Sequence, residues 1–181
     1  MKFNKTNIEG LYTIDLNPFK DERGSFGRTF CENEFKSIGF NDRFVQINHS
    51  FNTQKGTLRG MHFQLPPYGE TKLIRCIAGM AFDVAVDLRK NSLTFLQWKG
   101  VELSAENKRM ILIPKGFAHG FITLEDNTEL LYHHTEFYIP EADTGFHYND
   151  SRVNINWPIP IEKISEKDRI LSNIEDSFEG T

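Results

Sequence analysis

The chain has 181 residues, with 21 Lys and Arg against 25 Asp and Glu and a formal charge of −4, so it lacks the basic excess that tracking nucleic-acid phosphates requires. It has no apolar run of about 18 residues able to span a bilayer, and its length fits one domain, residues 1–181, with a core that needs no disulfide or metal staple. Sixteen Phe, 5 Tyr and 2 Trp lean the composition toward β structure.

The opening MKFNKTNIEG has no apolar stretch ahead of a small-residue cleavage site, so no secretory signal is expected and the location is read as cytoplasmic. Cys31 and Cys76 are too few for a disulfide framework and lack CxxC spacing; buried free thiols are expected. After the Asp21-Glu22-Arg23-Gly24 turn, Asn33 to Ile38 reads as a short helix stopped at Gly39, with Phe35 and Ile38 inward. Short strands are predicted over Lys72–Ile77, Ala81–Leu88, Gln97–Leu103, Met110–Ile113, Gly120–Leu124 and Glu129–Tyr138. Turn signals such as Pro66-Pro67-Tyr68-Gly69, Asn91-Ser92 and Pro114-Lys115-Gly116 separate them. In Ala81–Leu88 the alternation sets Phe82, Val84, Val86 and Leu88 on a core face and Asp83 and Asp87 on a polar face able to line a pocket. Ser165 to Asp168 reads as a capping box opening a helical turn, with Ile170, Leu171 and Ile174 following. The expected fold is an all-β jelly-roll sandwich with short terminal helices, whose mouth or concave sheet takes the ligand.

Several residues in these segments have two readings. His62 is either a satisfied core histidine or a general base. His119 falls in a glycine-rich turn; with His62 it could ligate a metal, but no His-x-His pair or spaced carboxylate completes a cage. His133 and His134, adjacent on a strand, point to opposite faces and cannot chelate one ion as neighbours. Tyr132 is either core packing or a phenolic proton donor, Lys72 a solvent-facing or a functional lysine, and Asp168 a helix cap or the partner of a histidine.

Taken together, Asp21-Glu22-Arg23-Gly24, Gln46-x-Asn48-x-Ser50, Leu58-Arg59-Gly60-Met61-His62-Phe63-Gln64, Lys72-Leu-Ile-Arg-Cys76 and Phe82-Asp83-Val-Ala-Val-Asp87 come in a distinctive order. They continue through Pro114-x-Gly-Phe-Ala-His119-Gly-Phe121, Leu131-Tyr132, Trp157-Pro158 and Ser165-x-Lys167-Asp168. The series resembles the dTDP-4-dehydrorhamnose 3,5-epimerase family over nearly the whole chain. The resemblance implies a cupin-type jelly roll (a double-stranded β-helix), a homodimer, no metal or other cofactor, and a nucleotide-sugar substrate in a dTDP-rhamnose route to polysaccharide. It implies His62 as general base, Asp168 as its carboxylate partner, Tyr132 as proton donor on the opposite sugar face and Lys72 at the enolate oxygen. It further implies sugar or phosphate contacts at Arg59 and His119, nucleotide or phosphate contacts at Arg23, Gln46 and Asn48, base stacking by Tyr138, and binding positions at Asp143 and Lys167. Arg28 and Asp143 stand where the family carries glutamate, and His133 where lysine is common.

The expected reaction is inversion of ring carbons 3 and 5 of a dTDP-linked 4-keto-6-deoxy sugar through an enolate. Phe63, Phe82, Phe117 and Phe121 are expected to wall the site from water. The alternatives are a single-position epimerase or ketoisomerase on a GDP- or CDP-linked keto sugar, a non-catalytic sugar-binding cupin, and a metal-dependent oxygenase of that fold.

Overall fold

Strand-forming residues at period two build two facing sheets in the computed structural model, which describes residues 1–181. In chain order the strands are β1 (Lys2–Lys5), β2 (Tyr12–Asp15), β3 (Phe19–Asp21), β4 (Gly24–Phe26), β5 (Gln46–Asn52), β6 (Thr57–Gln64) and β7 (Lys72–Ala78). They continue with β8 (Met80–Asp87), β9 (Trp98–Ser104), β10 (Met110–Ile113), β11 (Phe117–Thr123), β12 (Thr128–His134), β13 (Asp143–Gly145) and β14 (Lys163–Ile164). Two short helices, α1 (Glu32–Lys36) and α2 (Glu166–Arg169), complete the chain.

One sheet runs β1-β2-β10-β7-β12-β5 and the other β13-β6-β11-β8-β9, with β14 added in parallel to β6 and β3–β4 a separate hairpin. From β5 to β8, and again from β9 to β13, each strand passes to the opposite sheet, which is the winding of a jelly roll. The parallel β14 sets Lys163 and Ile164 beside Thr57 and Leu58, carrying α2 to the flank of β6.

Three apolar clusters hold this arrangement. Ile74, Ile111 and Leu130 of one sheet meet Ala85, Phe117 and Phe121 of the other in the space between. Outside the second sheet, Met61, Val84 and Val86 are covered by Phe146, Val153 and Ile155, with Ile174 and Phe178 from the last stretch of chain. Outside the first sheet, Leu73 and Met110 receive Phe35 of α1, ringed by Phe3, Phe40 and Phe44. Phe35 is fully buried and meets Phe3 edge-on at 5.2 Å; burying such a ring contributes about 2 kcal/mol. The phenylalanine excess therefore goes largely to these outer covers.

Four expectations need correcting. Both faces of β8 are buried: Ala81, Asp83 and Ala85 point between the sheets, and Val84 and Val86 lie under the outer cover. His119 lies within β11, because Gly116 at φ +81° completes the turn and pairing with β8 resumes at Phe117 opposite Asp87. The strand begun at Thr128 ends at His134, because the Gln64 amide donates to the Phe137 carbonyl and accepts from the Ile139 N–H, drawing that segment toward β6. Cys76 is buried, but Cys31 is only half-buried, at the mouth of α1.

Candidate active site

The register of β6 and β11 changes within a few residues: His119 faces His62, whereas Phe121 faces Arg59. Between these pairs β6 carries two residues, Gly60 and Met61, against the single Gly120 of β11, a bulge that re-aims side chains. Strict alternation would put Arg59 and His62 on opposite faces, yet both line one cavity of about 380 Å³ between the sheets. Gly60 makes the bulge possible. Its φ is +123°, and a Cβ there would sit 2.6 Å from the Gly120 Cα.

His62 Nε2 lies 2.8 Å from Asp168 Oδ1. The other carboxylate oxygen accepts the Gly60 N–H at 3.1 Å, and the Asp168 N–H donates to Ser165 Oγ at 3.1 Å. Ser165 therefore caps α2 as expected, but the Asp168 carboxylate does not return to the cap; it crosses to β6. Burial alone would raise this acid, and the contacts from His62, Gly60 and Ser165 outweigh it and hold the carboxyl below its ordinary value. An ionised Asp168 accepts from Nε2–H and leaves Nδ1 as the free nitrogen of His62.

His119 is fully buried, with Nε2 2.8 Å from Asp83 Oδ2. Desolvation lowers its pKa more than Asp83 raises it, so the ring is neutral at pH 7. Across the cavity, the Tyr132 hydroxyl lies 2.8 Å from Ser50 Oγ. Burial pushes the phenol well above its ordinary value despite that contact, so it is a proton-bearing group. Arg59 Nε donates to Asn52 Oδ1 at 2.8 Å.

Lys72 opens the inward stripe of β7 that continues through Ile74 and Cys76. Its Nζ is 3.2 Å from Glu70 Oε1, and Glu70 Oε2 is 2.7 Å from His134 Nδ1. Burial opposes ionisation of Glu70, but His134 and Lys72 prevail and the carboxyl lies below its ordinary value.

The structure thus gathers His62, Tyr132, Asp168, Lys72, Arg59 and His119 at one cavity, with Asn48 and Lys167 also lining it. Tyr138, Asp143 and Gln46 form a rim: the Tyr138 hydroxyl and Lys167 Nζ meet Asp143 Oδ2 at 3.3 and 2.6 Å, and Gln46 accepts the Tyr138 N–H. Arg23 is not brought there. It sits in the β3–β4 hairpin, paired only with Asp21, because no segment of this chain folds that hairpin back over the cavity. Of the four expected wall phenylalanines, Phe121 lines the cavity and Phe117 packs between the sheets, whereas Phe63 and Phe82 face the outer cover.

Sequence reasoning assigned no site role to Ser50, Glu70 or His134, and placed Asp83 on a pocket face without its histidine. The period-two stripe Leu130, Tyr132, His134 is the signal that puts His134 beside Tyr132. No three His, Cys, Asp or Glu side chains converge as a metal cluster. A larger hollow of about 580 Å³ beside Lys5, Glu9 and Asp42 contains no histidine. The arrangement in the smaller cavity can take a proton from one side of a ligand and return one from the other, with cations between.

Comparison with known proteins agrees with this chemistry. The family model described as dTDP-4-dehydrorhamnose 3,5-epimerase matches residues 5–176. A Shigella flexneri dTDP-4-dehydrorhamnose 3,5-epimerase is 47% identical over 169 residues, covering 93% of each chain. The crystal structure of the Bacillus anthracis enzyme with TDP and pyrophosphate bound superposes with a TM-score of 0.93 at 42% identity, covering 96% of this chain and 99% of that one. That of a Legionella pneumophila dTDP-6-deoxy-D-glucose-3,5-epimerase in complex with dTDP-4-keto-L-rhamnose gives 0.89 at 43% identity, covering 95% and 92%.

Proposed function

Because the chain belongs to the dTDP-4-dehydrorhamnose 3,5-epimerase family, we propose that His62 and Tyr132 are the proton-transfer pair of its two inversions. The protein is an isomerase acting on a dTDP-linked 4-keto-6-deoxy sugar, inverting carbons 3 and 5 through an enolate. The observation that carries the residue assignment is the opposition of a carboxylate-held histidine on β6 and a protonated tyrosine on β12 across one cavity.

The ketone acidifies the protons on its two flanking carbons. His62 Nδ1 takes one, and Asp168 steadies the imidazolium that forms. Charge gathers on the ketone oxygen, where Lys72 stabilises it; a preorganised donor at such an oxyanion is worth about 3–4 kcal/mol. Tyr132 then returns a proton from the opposite face, which a lone base cannot do. Arg59, His119 and Asn48 hold the sugar and phosphates, while Tyr138, Gln46, Asp143 and Lys167 receive the nucleotide end.

The whole of residues 1–181 acts as one cupin-type domain that works as a homodimer in the cytoplasm, supplying an activated sugar for polysaccharide assembly. What supports pairing is exposed apolar surface: Phe26 is 81% exposed on the hairpin, and edge strand β5 presents Ile47 and Phe51 outward. A second copy covering this surface gives Arg23 a phosphate to meet. The two free thiols fit a reducing compartment.

The deciding experiment is incubation with dTDP-4-keto-6-deoxyglucose in heavy water. Deuterium enters at both flanking carbons with inversion. Deuterium at one carbon only makes it a single-position epimerase, and none at either refutes the assignment. Light scattering tests the dimer: the wild type gives twice the chain mass, and Ile47→Asp with Phe26→Asp gives one.

A further inference from the structure

Beyond the proton-transfer pair, the cavity holds a buried imidazole, His134, to which the mechanism gives no task. It stands on β12 directly opposite Lys72 of β7 on one side and Gln46 of β5 on the other. Its side chain and that of Glu70 are each 10% exposed, and the Lys72 side chain 9%.

These contacts join into a chain that can run in only one direction. The Lys72 ammonium has hydrogens and no acceptor, so Glu70 accepts at Oε1. An ionised Glu70 has no hydrogen to give, so His134 Nδ1–H donates to Oε2 at 2.7 Å. The other ring nitrogen, Nε2, faces Asn48 Nδ2 at 3.3 Å, a donor to which it can only offer a lone pair. Asn48 Oδ1 in turn accepts from Gln46 Nε2 at 3.3 Å, and Gln46 Oε1 accepts the Tyr138 N–H at 3.2 Å. Each group uses the one capacity its neighbour leaves it.

We propose that His134 is a positioning residue for the epimerisation, acting through Glu70 to fix Lys72 at the ketone oxygen and taking its own orientation from Asn48. The inference rests on the role given to Lys72 above and extends it: the cation is aimed by a relay whose far end is the nucleotide-binding rim. Glu70 fixes one of the three Lys72 hydrogens, leaving two for the cavity. His134 prevents the carboxylate from rotating away. Without the imidazole, the Glu70–Lys72 pair is free to turn, and Lys72 loses the placement that the developing charge requires.

A double-mutant cycle tests this, read as kcat and as the rate of deuterium entry from solvent. His134→Ala lowers both about tenfold, the scale expected when a catalytic group is misplaced by a fraction of an ångström. His134→Asn, whose amide N–H sits near the place of Nδ1–H, recovers most of the loss. In a Lys72→Met background, His134→Ala has no further effect, because the residue acts only through that lysine; a purely structural role multiplies the two losses. An unchanged rate in His134→Ala, or a further tenfold loss in the Lys72→Met background, overturns the inference. An unchanged rate in Lys72→Met overturns the role of Lys72 and the relay with it. Nitrogen-15 spectra of histidine-labelled wild type provide a check independent of any variant. His134 carries its proton on Nδ1, and a spectrum placing it on Nε2 refutes the relay.

Discussion

His62 and His119 face each other across the β6–β11 ladder, and each gives its Nε2 to a different carboxylate, Asp168 or Asp83. The first ring is partly exposed at the cavity and the second is fully buried. The same side chain thus stands open to a ligand in one position and is confined to neutral hydrogen bonding in the other.

Asp168→Asn keeps the shape of the dyad but turns its acceptor into a mixed donor and acceptor, so His62 loses its fixed tautomer. Turnover falls about 10²–10⁴-fold, with the far-ultraviolet circular dichroism unchanged. Stopped assays of sugar inversion measure this, and a loss below tenfold refutes the pairing.

Tyr132→Phe retains the ring that packs beside Phe121 and removes only the hydroxyl on Ser50. Proton abstraction by His62 continues, so deuterium still enters the sugar, while inverted product falls at least about 10²-fold. Proton NMR of the recovered sugar separates the two events. Equal losses in both would move Tyr132 out of the donor role.

Gly60→Ala places a Cβ against the Gly120 backbone and the His119 carbonyl at a φ of +123°. The fold loses about 3 kcal/mol in urea titration. Activity at temperatures where the variant remains folded also drops, because the bulge that aims Arg59 and His62 together no longer fits.

Asp87 is the chain's acid-sensitive staple. Buried at the end of β8, it accepts from the Arg89 guanidinium at 2.8 and 2.7 Å and from the Ser92 and Thr94 hydroxyls at 2.6 Å each. Burial opposes its charge, but these donors hold the carboxyl at about 2, below its ordinary 3.8. On acidification the unfolded chain protonates this group first. Its contribution, about 2 kcal/mol, is therefore complete above pH 3.8 and lost as the pH falls toward 2. Asp87→Asn is less stable at pH 7, and its acid unfolding is correspondingly flatter through that window. An unchanged midpoint in thermal denaturation at pH 7 would remove the staple.

The sheet architecture was legible because alternation is local: Lys72–Ile77 and Met110–Ile113 emerge with ends correct to within a residue. Strands β1 to β6, β13 and β14 were not: β13 and β14 pair only with β6, far away in sequence, and β5 and the central β6, which carries His62, alternate too weakly in polarity to announce themselves. The same divide runs through the site. His62, Tyr132 and Asp168 could be proposed from ordered motifs, whereas Glu70 meets His134 only through the folding of a loop 64 residues away. Arg59 and His62 share a cavity because of a bulge that no periodicity announces.

The base and its carboxylate lie 106 residues apart, joined only when β14 returns along β6 and sets α2 in place. Closing so long a loop is slow and entropically costly, and it follows the assembly of both sheets. During synthesis, a nascent chain can display the complete β6–β11 ladder and still hold an unpartnered imidazole. With the roles proposed for His62 and Asp168, enolising power is conferred late, when the final stretch docks. Activity therefore reports on whether the last stretch of chain has docked.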